Sequence, residues 1–219
     1  MSRLILVFLL FNISCAPRLW GISPTLDGSL EGSKQMLVVE LIENSIFKAK
    51  VTAWQRQDKV WREVFATMDA VVGRNGIAEF SQKREGDGKT PSGTFYLKQT
   101  FGYAASIDSK IKYRQASDED LWVDDPNAKS YNQWINSKDL ADAKSFERMK
   151  RKDNLYEAGL VIEYNTSPPV AGLGSAIFLH IWRGFNQSTA GCVALSKRNV
   201  LKLLKWLDPA NIPVIVIKK

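Results

Sequence analysis

The sequence predicts a mainly β protein with a few helices, and two observations carry that prediction. Short apolar runs with period-two alternation recur along the chain, separated by Gly, Pro, Asn and Ser turn signals. Only two stretches show helical spacing instead. The composition is that of a folded globular chain: 219 residues, 45% hydrophobic, 11% aromatic and 24% charged. Such a length suits one large domain, or one domain with a decorated insertion.

Residues 36–43 form a strongly apolar strand candidate. Residues 46–54 alternate Phe47, Ala49, Val51 and Ala53 against Lys48, Lys50 and Thr52, the signature of a half-buried strand. Glu43, Asn44 and Ser45 supply a turn between them, so a hairpin is predicted. Further strands are predicted over 60–67, 93–98, 159–165, 175–182 and 214–217. About seven short strands with turns between them favour a sandwich or barrel. One helical stretch is 139–151, where Leu140, Ala143, Phe146 and Met149 repeat. The other follows Ser196, which caps a helix carrying Val200, Leu201, Leu203, Leu204 and Leu207 until Pro209 ends it. Residues 100–154 lack regular alternation and hold Tyr113, Trp122, Tyr131 and Trp134. They read as an insertion over one face of the sheet, either a lid or substrate wall or a satellite core.

The first residues read as an address. Arg3 precedes an unbroken apolar run over 4–11, shorter than the ~20 residues a membrane-spanning helix needs. This predicts a signal peptide over 1–14. Ser14 before Cys15 resembles a bacterial lipoprotein cleavage box, in which the cysteine becomes lipidated, although Asn12 departs from the usual leucine. A cut after Ala16 competes, but Pro17 would follow it directly. Residues 15–34, rich in Pro, Gly and Ser, read as a tether to a domain over 35–219. The chain is therefore expected in the periplasm or cell envelope, with membrane attachment through lipidated Cys15.

With 30 Lys+Arg against 23 Asp+Glu, the formal charge is +7. The bases are scattered and do not interleave with aromatics, so nucleic acid is not an expected partner of an exported chain. They read as a solvated surface, or as attraction to an anionic polymer such as cell wall. Two cysteines and one histidine exclude a disulfide scaffold and a metal centre built on cysteine pairs or several histidines. No cofactor is expected.

If Cys15 is lipidated or lost, Cys192 is a lone thiol in an exported protein. Strand parity puts Phe178, His180 and Trp182 on one face, and Ile177, Leu179 and Ile181 on the other. The loop from Ile181 to Gly191 is long enough to return the chain and place the thiol beside the imidazole. A histidine within hydrogen-bond reach lowers a thiol's pKa and yields a thiolate nucleophile. Gly191 allows a tight turn, and the N–H groups of Gly191 and Cys192 are candidate oxyanion donors.

His180-Ile-Trp-Arg-Gly and Ser188-Thr-Ala-Gly-Cys192-Val resemble the catalytic signature of the L,D-transpeptidases of the YkuD type. Upstream, Gly86-Asp-Gly-Lys-Thr-Pro-Ser-Gly93 is similar to the family's Gly-Asp-x-x-Thr-Pro-x-Gly segment. Trp122-Val-Asp-Asp-Pro and Tyr131-Asn-Gln-Trp134 look like the branch with short secreted or lipidated domains. The resemblance covers residues 37–217. It implies a β-sandwich catalytic domain with an inserted helical or loop segment. It further implies peptidoglycan stem peptides as substrate and a role in cell-wall biogenesis and cell shape. Cys192 matches the nucleophile that forms an acyl-enzyme thioester as terminal D-alanine leaves. His180 matches the general acid and base, and Gly191 the oxyanion glycine. The chain departs from many members at Ala190, where they have histidine, and at Ala194, where they have arginine. Arg183 is read as the replacement charge for a substrate carboxylate, with Ser188, Thr189 and Trp182 lining the substrate site. Thr90-Pro91-Ser92-Gly93 reads as a turn that shapes the site or touches substrate. Tyr164 and Asn165 are expected to line the same cleft. Resolution of the thioester by a second stem's amine gives an L,D-transpeptidase, and by water an L,D-carboxypeptidase. A wall-binding lipoprotein without catalysis is the third reading.

Overall fold

The computed structural model describes residue 30 and residues 32–219, so the predicted signal peptide and most of the tether lie outside the described residues. A strand buried on both faces must be apolar at nearly every position. Strands β1 (Gln35–Leu41) and β14 (Val214–Ile217) meet that demand and pair in parallel. Leu37, Val39, Ile215 and Ile217 enter the main core, while Met36, Val38, Val214 and Val216 face a smaller one. β2 (Lys48–Gln57) returns antiparallel to β1, as the hairpin reading expects, and Asn44 makes the bend with φ +62°. β3 (Val60–Glu63) is shorter than predicted. The chain leaves the sheet after it and re-enters as β4 (Met68–Val71), which pairs with β2 farther along the same edge as β3, the one opposite β1.

β5 (Gly93–Tyr96), β6 (Thr100–Gly102), β7 (Tyr113–Gln115), β11 (Ala158–Val161), β12 (Phe178–Ile181) and β13 (Val193–Leu195) complete an 11-stranded mixed sheet. Its order is β5-β14-β1-β2-β4-β13-β12-β11-β6-β7, with β3 on β2. Leu37 and Val51 from one half meet Leu160 and Leu179 from the other, so the sheet curls around one core. Helix α1 (Lys197–Trp206) closes that core with Val200, Leu203 and Leu204. Ser196 caps it by accepting the N–H of Asn199 at 3.3 Å. Leu201, placed on the apolar stripe by sequence, faces solvent instead, 38% exposed.

Residues 139–151 are not a helix. A 3₁₀ turn at Ser137–Asp139 leads into an extended chain and β10 (Phe146–Arg148), which pairs with β8 (Asp120–Val123). A stripe spaced only by threes drifts off a helix face. The Asp125 carboxylate also takes the N–H of Lys144 at 2.8 Å, pinning the chain where the helix would run. β8 pairs on its other edge with β9 (Trp134–Asn136). The predicted insertion therefore divides: β6 and β7 extend the main sheet, and only β8, β9 and β10 form a separate three-stranded sheet. Its aromatics Trp122 and Trp134 join Phe101, Met149, Tyr156 and Phe178 in a satellite core that also contains Cys192.

Candidate active site

The parity of β12 is as predicted. Leu179 and Ile181 enter the main core, and Phe178 packs in the satellite core beside Cys192. His180 and Cys192 are each 6% exposed and line one cleft of ≈ 140 Å³. Backbone pairing brings them there: β12 and β13 run parallel, with His180 opposite Ala194 and Leu179 opposite Val193.

Four hydrogen bonds clamp the loop before Cys192. Thr189 N–H donates to Val72 O, and Arg74 N–H to Thr189 O, both at 2.9 Å. The Thr189 hydroxyl donates to Cys192 O at 2.7 Å and accepts the Gly191 N–H at 3.1 Å. The Thr90 hydroxyl takes the Gly73 N–H at 2.9 Å and reaches Cys192 O at 3.4 Å. Thr90 is fully buried, so it shapes the site and does not face the cleft. Gly73 has to be glycine, because a Cβ there would stand 2.4 Å from Gly88 O. At Gly191 a Cβ would stand 3.0 Å from Lys89 O. With its N–H held by Thr189, Gly191 is not a free oxyanion donor at rest, contrary to the sequence expectation.

The expected thiolate is also absent at rest. Cys192 Sγ donates to Ala176 O at 3.3 Å and accepts from Phe178 N–H at 3.4 Å. No described hydrogen bond joins it to His180. Burial, reinforced by the charge of Glu147, pushes the thiol pKa up to about 12. Burial likewise pushes the His180 pKa down to about 4, and the positive charge of Arg151 adds to that. His180 Nδ1 lies 2.8 Å from Ile181 O, a group that only accepts. Nδ1 therefore carries the proton, and Nε2 is the basic nitrogen.

Ala176, whose carbonyl holds the thiol, has φ +52°, a strained value for a residue with a Cβ. Asn132 supports that bend: its Oδ1 accepts the Ala176 N–H at 3.1 Å and the Trp122 indole N–H at 2.8 Å. Its Nδ2 donates to the carbonyls of Tyr164 and Asn165. Those two residues buttress this network and do not line the cleft, which corrects their expected place. The Tyr164 hydroxyl bonds Leu173 O, and the Asn165 amide bonds Gly174 O.

Trp182, Arg183, Ser188 and Thr189 all line the cleft. Arg183 is half-exposed at its mouth, bound to Asp153 at 2.6 Å. The lining residues that sequence reasoning missed include Glu147, Arg151 and Tyr156. Arg151 binds Asp153 at 2.8 Å and stands 3.7 Å from Glu147. The same guanidinium holds the Asp153 carboxyl well below the usual range. The Tyr156 hydroxyl donates to Glu147, and its ring stands edge-on to His180 at 5.1 Å. Glu147, Tyr156 and Arg151 come from the segment around β10, so no motif near Cys192 announces them.

The curled mixed sheet thus brings a buried thiol and a buried imidazole into one cleft. Residues 45–216 match the family YkuD, described as the L,D-transpeptidase catalytic domain, and the chain belongs to that family. No curated protein matches the sequence. Among solved structures, the chain is similar to the helical cell shape determining protein Pgp2 of Campylobacter jejuni, crystallised as a point mutant. The two share 12% identity over 85% of this chain and 47% of that one, with a TM-score of 0.42. This chain thus spans about half the length of that structure.

Proposed function

We propose that the protein is an exported L,D-transpeptidase that works through an acyl-enzyme on Cys192. The observation that carries the reading is one cleft holding a thiol, a Nδ1-protonated imidazole and two arginines. Sγ attacks the carbonyl of the diamino-acid residue in a tetrapeptide stem, and the thiol proton passes to His180 Nε2. That proton then leaves on the amine of the departing D-alanine, and a thioester remains. The amine of a second stem attacks the thioester, its proton returns through His180, and the thiol is restored. Arg151 and Arg183 suit the carboxylate of the leaving D-alanine, and Trp182 walls the cleft. Export and attachment through Cys15 rest on residues 1–15 of the sequence alone.

The test is product analysis by mass spectrometry on tetrapeptide muropeptides, with Cys192→Ala alongside. A dimer that has lost one D-alanine, absent in the variant, is the expected result. Tripeptide alone makes the enzyme an L,D-carboxypeptidase. Full activity in Cys192→Ala contradicts the mechanism.

A further inference from the structure

Two guanidiniums line the cleft, and one carboxylate that does not line it holds both. Arg151 grips Asp153 in a fork, Nε to Oδ1 at 2.9 Å and Nη2 to Oδ2 at 2.8 Å. Arg183 Nη2 donates to the same Oδ2 at 2.6 Å. The fork has its own anchors: Leu155 N–H donates to Asp153 Oδ1 at 3.4 Å, and Arg151 N–H to the Tyr103 hydroxyl at 2.9 Å. What Asp153 prevents follows from charge. Arg151 Nη1 stands 3.7 Å from Glu147, beyond hydrogen-bond reach. Without Asp153, Arg151 is free to close on Glu147, and that pair would cancel its charge. Arg183, half in solvent, has no other ion pair among the described residues, so it would spread over many rotamers. Donors also remain. A guanidinium carries five N–H groups. Arg151 Nη1 and Arg183 Nε and Nη1 make no hydrogen bond among the described residues. Two arginines against one aspartate leave one positive charge over.

We propose that Asp153 is a positioning residue that sets the leaving group's specificity: it holds Arg151 off Glu147 and beside Arg183, so that the two present a preset fork to one further carboxylate. The inference rests on the acyl-enzyme reading above and adds a rule to it. The residue that leaves must be a C-terminal amino acid with its α-carboxylate free. Attack on the carbonyl before it puts that carboxylate one residue from Sγ, and Arg151 and Arg183 share the cleft with Sγ. A guanidinium already fixed by Asp153 loses little freedom when substrate binds, and a loose one loses more. A carboxamide in the same place brings no charge, and its NH₂ group meets donors only. Asp153 touches neither substrate nor thiol in this scheme and acts through the two arginines.

The experiment reads binding apart from turnover. In the full Cys192→Ala chain, calorimetry gives Kd for a tetrapeptide stem and for the same stem ending in a carboxamide. That chain should bind the acid about tenfold or more tighter than the amide. Adding Asp153→Asn should cut the preference to about threefold or less, by weakening the acid and leaving the amide within about twofold. Asp153→Glu keeps the charge and should recover part of the preference. With Cys192 intact, Asp153→Asn should raise KM for the acid stem more than it lowers kcat. No preference for the acid before Asp153 is changed, or one that persists in Asp153→Asn, overturns the proposal. A preference that grows in Asp153→Asn overturns it too, because Asp153 would then compete with substrate for the arginines. Equal weakening of acid and amide would reduce Asp153 to a brace of the fold and reject the specificity role. Failure of the acyl-enzyme reading is a separate result: it shows as no thioester adduct on intact Cys192, while these binding constants stand.

Discussion

Cys192 is a protonated thiol and His180 a neutral imidazole, and both properties come from burial. At neutral pH a thiol with a pKa pushed up to about 12 holds far less thiolate than a free cysteine near 8.5. Iodoacetamide should therefore label resting Cys192 at least about a hundredfold more slowly than it labels the unfolded chain. Labelling as fast as in the unfolded chain would contradict the buried geometry. The basic form of His180 survives to about pH 4, because its folded pKa is lowered. The acid limb of kcat/KM, which reports the free enzyme, should fall near pH 4 and not near 6.5. A limb between 6 and 7 would mean that the imidazole is solvated in solution.

Single elements carry separable tasks. Ser196 caps α1 and does not line the cleft, so Ser196→Ala should lower unfolding free energy by about 1 kcal/mol in urea titrations. Its D-alanine release should stay unchanged. Thr90→Val should cost about 1–3 kcal/mol, because it leaves the Gly73 N–H buried without a partner. Unlike the cap variant, it should also slow catalysis, because Thr90 helps hold the Cys192 loop. The helix after Ser196 was legible in sequence because cap, apolar stripe and Pro209 all lie within one short stretch. Residues 139–151 misled because the contacts that decide them are distant: Asp125 hooks Lys144, and β8 pairs with β10. The same holds at the site. His180, Cys192 and the glycine between them are local and were readable. Asn132 acts on Ala176, 44 positions away, and Tyr156 reaches back to Glu147 through an irregular loop, so neither leaves a sequence signature.

The curled sheet as a whole shelters two ionisable groups in forms that unfolding would release. His180 has a folded pKa near 4 and an unfolded value near 6.5, so below 6.5 the unfolded chain binds more protons. Stability should fall as pH drops through that window, by up to about 3 kcal/mol from this residue. Wild type should lose more stability between pH 7 and 4.5 than His180→Gln does. Equal losses would show that His180 is not buried neutral. The central claim, however, is that this scaffold exists to form a thioester at one sulfur. Intact-protein mass spectrometry after rapid mixing with a tetrapeptide stem tests it most directly. The account predicts an adduct of the stem minus D-alanine on the wild-type chain, stoichiometric D-alanine release, and neither in Cys192→Ala. Folded wild-type protein that binds the stem yet shows no adduct and no D-alanine would contradict it.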